Sequence, residues 1–159
     1  MVALFVLVLV IHLQPQLLAA GTTAPAIVLQ SDTGQRVDGL AAAAHHNLVV
    51  AFFDTQCDTC ERQAAQLCAL AEQHAADVFV AVDAGGESRS AVAAYGRANH
   101  PPPCPVTLLL DPGLSVSRAY RAAVVPTVYV VDSSGKIAYG AVGSAGVGGL
   151  DATLRQLGG

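Results

Sequence analysis

Asn47–Cys60 reads NLVVAFFDTQCDTC, and the rest of the chain is arranged around it. Leu48–Phe53 is an apolar run with no polar alternation, the pattern of a strand buried on both faces. A polar bend, Asp54–Gln56, leads to Cys57 and Cys60 with two residues between them. Beyond Cys57 the apolar spacing turns helical. Cys60, Ala64, Leu67, Cys68, Ala71 and Ala75 share one face of a helix predicted from Cys57 to about Ala75. Cys57 therefore falls at a helix N-terminus, where unpaired N–H groups and the positive end of the dipole stabilise a thiolate. Cys60 lies one turn further in, within reach of a small disulfide ring. The attacking species in disulfide exchange is a thiolate. Cys57, the more exposed sulfur, is read as the nucleophile, and Cys60, on the buried face, as the cysteine that resolves the mixed disulfide.

Composition narrows the partners. The 159-residue chain has a net charge of −4, and Lys136 is its sole lysine. The arginines are scattered, so neither nucleic acid nor an anionic-lipid patch is expected. With 53% apolar against 13% charged residues, a packed domain is indicated and a disordered chain excluded. Residues 1–20 read as a signal peptide or an N-terminal membrane anchor ahead of a single domain, 21–159. Met1–Ile11 is apolar but short for a membrane span, and Leu18-Ala19-Ala20 suits cleavage before Gly21. No Arg or Lys precedes Arg36, a departure from the usual leader. The competing reading, an N-terminal core strand, is weakened by the polar break His12–Gln16. Either leader places the domain outside the cytoplasm: in the periplasm, at the outer face of the cytoplasmic membrane, or secreted.

On the N-terminal side, Ile27–Gln30 and Gln35–Val37 face each other across Ser31-Asp32-Thr33-Gly34 as a β-hairpin. Alanine-rich Leu40–His46 is one helical turn or a loop. On the C-terminal side, Val78–Val82 is a second buried strand, Asp83–Glu87 a Gly-rich turn and Ser88–Ala98 a helix. His100–Pro105 holds four prolines and is irregular. Val106–Leu110 is a strand, Asp111–Gly113 a turn and Leu114–Tyr120 a short helix. Thr127–Val131 and Lys136–Ala141 pair across the Asp132–Gly135 turn. Gly143–Gly149 reads as a flexible loop before a last helix, Leu150–Leu157. The class is α/β, a mixed central sheet flanked by helices.

With these residues in place the chain resembles the thioredoxin superfamily, and within it exported thiol–disulfide oxidoreductases of the TlpA/ResA type. VVAFFDTQCDTC is similar to that group's strand and active-site turn. VVPTVYVVDSSGKIAYGAVG is similar to its second motif, with Pro126 in the place of a cis-proline. Ala24–Ile27 with Gly34 resembles its N-terminal hairpin, and Val78–Gly96 followed by Cys104–Gly113 resembles its central helix–strand insertion. The resemblance implies that Gln56, Val125 and Pro126 meet substrate, the Val125 backbone pairing with an extended peptide beside Cys57. It also implies client proteins with disulfides or thiols, apocytochrome c or copper-site assembly proteins among them, and a membrane thiol protein as electron donor. The departures are Gln56 where the group has Trp, Asp58-Thr59 where it has a motif proline, Ala51 where thioredoxins bury an Asp, and Gln63 where some relatives carry Glu.

Several residues tune the dithiol. The helix terminus lowers the Cys57 pKa, while Asp58, Glu61 and Asp54 raise it by like-charge repulsion. With Thr59 between the cysteines, this environment favours the disulfide and predicts a reductant. No cofactor is expected. Zinc would need a second paired spacing, which Cys68, Cys104, His45 and His46 do not form. Haem attachment needs His where Glu61 stands, and neither cysteine follows a Pro-x-x-x-Thr-x-x-Cys peroxidase pattern. Cys68, on the apolar stripe, and Cys104 read first as separate thiols, with a Cys68–Cys104 disulfide as the alternative in an oxidising compartment. The second functional reading is a non-catalytic thioredoxin-like module that binds peptides or copper and keeps a static disulfide.

Overall fold

The computed structural model describes residues 16–144 and 146–158. The expected leader lies largely outside the described residues. Within them, Leu17 and Leu18 already pack against the domain, and the Leu18 N–H donates to the Tyr129 hydroxyl at 3.2 Å. Among the described residues no helix is long and apolar enough to cross a membrane.

In chain order the elements are β1 (Val28–Ser31), β2 (Arg36–Asp38), α1 (Gly39–Ala42), β3 (Leu48–Phe53), α2 (Asp58–Gln73) and β4 (Val78–Asp83). There follow α3 (Arg89–Asn99), β5 (Val106–Leu110), α4 (Ser115–Ala119), β6 (Thr127–Val131), β7 (Ile137–Val142) and α5 (Gly146–Leu157). The strands form one seven-stranded mixed sheet in the order β2-β1-β5-β4-β3-β6-β7. β3 runs parallel to β4 and antiparallel to β6, so it is hydrogen-bonded on both edges. All of its residues are buried. Their alternation is still present, but it divides two cores. Val49, Ala51 and Phe53 pack with Leu67, Leu70, Tyr95, Leu150 and Leu154, from α2, α3 and α5. Leu48, Val50 and Phe52 pack with Ile27, Val116 and Tyr120 on the other face.

α2 buries Cys60, Gln63, Ala64, Leu67, Leu70 and Ala71, a stripe at helical spacing that faces the sheet. It ends at Gln73, with His74 as C-cap. His74 Nε2 meets Asp151 Oδ1 of α5 at 3.0 Å.

Two expectations are corrected. The last helix begins at Gly146 rather than Leu150, so the expected flexible loop over Gly143–Gly149 is in part helical. Glycine serves here for close approach. A Cβ on Gly146 would lie 2.8 Å from Val128 Cγ2, and one on Gly149 would collide with the Tyr139 hydroxyl. The helix sits tightly on β6 and β7 because these positions carry no side chain. The second correction concerns Cys68 and Cys104, which are not separate thiols. They are disulfide-bonded, with Cα atoms 4.9 Å apart. The bond ties α2 to the proline-rich segment before β5, which contains a cis Pro102–Pro103 peptide.

This disulfide closes a loop of 36 residues. Replacing both cysteines, Cys68→Ser with Cys104→Ser, is expected to lower the unfolding free energy by about 2–4 kcal/mol in urea titrations. Unchanged stability would mean that the cross-link does not constrain the chain.

Candidate active site

β3 leaves the sheet at Phe53, and the chain turns within Asp54–Gln56 into α2. The turn is closed by its own polar groups. The Gln56 N–H donates to Asp54 Oδ1 at 2.7 Å, and the Cys57 N–H to the Asp54 carbonyl at 3.2 Å. Cys57 is the N-cap of α2, with extended backbone (φ −96°, ψ 97°). Its sulfur occupies the place that a Ser or Asp oxygen takes at other helix starts. The Cys60 N–H donates to Cys57 Sγ at 3.1 Å, and the Glu61 N–H to the Cys57 carbonyl at 3.1 Å. An N–H aimed at the sulfur, together with the helix dipole, favours negative charge there once the disulfide opens.

Cys57 and Cys60 are disulfide-bonded, with Cα atoms 5.2 Å apart. Cys57 is half-buried, whereas Cys60 is 3% exposed and belongs to the core. Gln56 and Asp58 are exposed on either side of Cys57, and Glu61 is exposed one turn on. Thr59 accepts from Arg62 Nη2 at 3.0 Å. The acidic character of the surroundings reaches the layer below. The Tyr95 hydroxyl is pushed well above its ordinary value by burial, with the charges of Glu61 and Asp54 adding to the rise.

The start of β6 lies beside this turn. The register Phe52↔Thr127 brings the ends of β3 and β6 together. The Val125–Pro126 peptide is cis, and Val125 packs against the same core as Cys57. A hydrogen-bond chain joins this strand to α2. Gln63, 2% exposed, donates from Nε2 to the Gly143 carbonyl at 3.4 Å. The Gly143 N–H in turn donates to the Pro126 carbonyl at 2.8 Å.

Sequence reasoning missed a carboxyl pair behind the turn, one buried and one half-buried, where Asp83–Glu87 read only as a Gly-rich bend. Glu87 Oε1 accepts both the Thr55 N–H at 3.1 Å and the Thr55 hydroxyl at 2.8 Å. Asp83, fully buried at the end of β4, accepts the Gly85 and Glu87 N–H groups at 2.9 and 2.7 Å. Burial lifts Asp83 from 3.8 to about 7, and the hydrogen-bonded Glu87 carboxyl adds to the rise. Burial also pushes Glu87 upward, but its hydrogen bonds to Asp83 and Thr55 outweigh that and hold it below its ordinary value. Glu87 thus grips the loop two residues before Cys57, and Asp83 holds the Glu87 backbone in place behind it. The available signal was an acidic residue ending a continuous apolar strand, which demands a partner.

The fold and this dithiol define a thioredoxin-like thiol–disulfide oxidoreductase. The chain belongs to the Redoxin family, which matches residues 19–154. Solved structures of the same fold agree. A Chlorobium tepidum protein assigned as thiol:disulfide interchange protein DsbE superposes with a TM-score of 0.78 at 23% identity, covering 89% of this chain and 99% of its own. A secreted Mycobacterium tuberculosis disulfide oxidoreductase homologous to DsbE gives a TM-score of 0.70 at 17% identity, covering 82% and 96%. StoA of Bacillus subtilis gives 0.66 at 16% identity, with 82% and 96% covered. No curated protein matches the chain.

The raised Asp83 carboxyl sets a pH dependence. In the unfolded chain Asp83 loses its proton near 3.8, whereas in the fold it keeps it to about 7. The folded state therefore binds more protons between these values, and stability falls as pH rises through that window. Thermal unfolding followed from about pH 5 to about pH 8 is expected to show this decline, and Asp83→Asn to flatten it. An equal decline in the variant would place the titration elsewhere.

Proposed function

We propose that this protein reduces disulfides in client proteins outside the cytoplasm. Cys57 attacks the client disulfide and forms a mixed disulfide, which Cys60 resolves. The observation that carries this reading is the asymmetry of the pair. Cys57 is half-buried at the helix N-terminus and accepts an N–H, while Cys60 lies behind it in the core. The cis Val125–Pro126 peptide offers an extended client a backbone beside the dithiol, with Gln56 at the rim. Asp58, Glu61 and Asp54 crowd negative charge around Cys57 and favour the oxidised form, which suits a reductant. The protein then needs recharging, and a thiol protein of the membrane is the donor consistent with an exported reductant. Export is supported by the apolar N-terminal sequence and by the secreted Mycobacterium tuberculosis protein of the same fold.

Insulin reduction with dithiothreitol tests the reaction. Cys57→Ser is expected to abolish turnover, and Cys60→Ser to accumulate covalent client adducts visible on non-reducing gels. Turnover in Cys57→Ser equal to that of the native protein would leave a peptide-binding module with a static disulfide instead.

Equilibration of the Cys57–Cys60 pair with glutathione or thioredoxin is expected to give a reduction potential below that of protein disulfide isomerase, about −180 mV. A value at or above it would mark the protein as an oxidant.

A further inference from the structure

Resolution of the mixed disulfide requires Cys60 as a thiolate, but Cys60 is 3% exposed, and burial in apolar surroundings opposes ionisation. A proton acceptor behind it is needed. Directly behind it lies a cavity of about 10 Å³, room for about one water molecule. Its titratable walls are Cys60, Tyr95 and His100, beside Ala51, Phe53 and Gln63. Ala51 and Gln63 accept no proton at neutral pH. Tyr95, pushed upward by burial, is already protonated there. His100 is different. Both of its ring nitrogens are buried and have no hydrogen-bond partner among the described residues.

His100 is also held in place. It caps α3, its N–H donating to the Gly96 carbonyl at 2.8 Å, and its ring lies 5.7 Å from that of Tyr95. The segment that follows it is pinned to α2 by Cys68–Cys104. On its other side His100 lines an open groove of about 500 Å³ with Asp32, Arg97 and Pro102. One side chain thus lies between the cavity behind Cys60 and solvent.

We propose that a single water in this cavity joins the Cys60 thiol to His100, and that His100 receives the Cys60 proton during resolution. This rests on the reductase reading above and adds the proton path to it. The Cys60 thiol gives its proton through the water to the His100 ring. The Cys60 thiolate attacks Cys57 Sγ, the Cys57–Cys60 bond forms and the Cys57–client bond breaks. The client leaves as a thiolate that takes a proton from solvent, and His100 releases its own to the groove. The dithiol is oxidised by two electrons and the client is reduced by the same two. The groups bearing on His100 are Tyr95 and Arg97 from α3, Asp32 from the β1–β2 turn and Cys60 from α2. Burial holds His100 below its ordinary value, with Asp32 pulling the other way, so the ring is neutral and able to accept near pH 7.

Mixing the reduced protein with 5,5′-dithiobis(2-nitrobenzoate) separates the steps. The first thionitrobenzoate reports attack by Cys57 and the second reports resolution by Cys60, with acid quench and mass spectrometry assigning each phase to its cysteine. In His100→Gln and His100→Leu the second phase is expected to slow about a hundredfold near pH 7 and to become proportional to hydroxide, while the first is unchanged. A second phase of native rate and pH profile in both variants overturns the relay. Loss of both phases in the variants also overturns it, by making His100 structural. A native protein lacking the Cys57 phase would instead overturn the reductase reading.

Discussion

The architecture turns on a strand that has no free side. Leu48–Phe53 is hydrogen-bonded along both edges and packed on both faces. Moving it by one residue would exchange its two side-chain sets between the two cores, so its register is strongly specified. That fixes where the chain emerges. A three-residue bend later it enters a helix whose own apolar stripe must meet the sheet. Cys57 is left at the helix cap and Cys60 inside, with no further device needed to tell the two sulfurs apart.

Electrostatics around the dithiol are a contest between backbone and side chains. The helix terminus and the Cys60 N–H favour negative charge on Cys57, while Asp58, Glu61 and Asp54 oppose it. The carboxylates are solvated and partly screened, whereas the N–H contact is direct. The bend that carries Cys57 is gripped from below by Glu87, which is itself braced by Asp83 at the end of the neighbouring strand. From the other side, Gln63 and Gly143 link the helix to the proline strand. The two halves of the site are thus tied by the Glu87 and Gln63 side chains, each bonded to the backbone of a neighbouring loop.

The second disulfide belongs to the same arrangement. A segment with four prolines makes few backbone hydrogen bonds and cannot fold as a regular element. Cys68–Cys104 fastens it to the active-site helix, and His100 at its head comes to rest beneath Tyr95. Both disulfides involve the active-site helix that holds Cys60. The opposite face of the sheet is packed largely by aliphatic and aromatic side chains, with ordered contacts such as Tyr120 to the Pro25 carbonyl at 2.8 Å.

The central strands, the first two long helices, the N-terminal hairpin and the place of the two active-site cysteines were legible in local order, because each rests on periodicity or on a short motif. Leu48–Phe53, Val106–Leu110 and Thr127–Val131 needed no correction. The rest depended on partners far away in the chain. Glycines read as a loop form the first turn of a helix, which can sit there because Val128 and Tyr139 meet no side chain at Gly146 and Gly149. Two cysteines 36 residues apart became a bond, since only the packed fold brings their Cα atoms within 4.9 Å. The grip of Glu87 on Thr55 and the position of His100 behind Cys60 are likewise products of tertiary packing. Residue type and spacing state which groups exist, but only the folded chain decides which are buried together, and burial is what changes their chemistry.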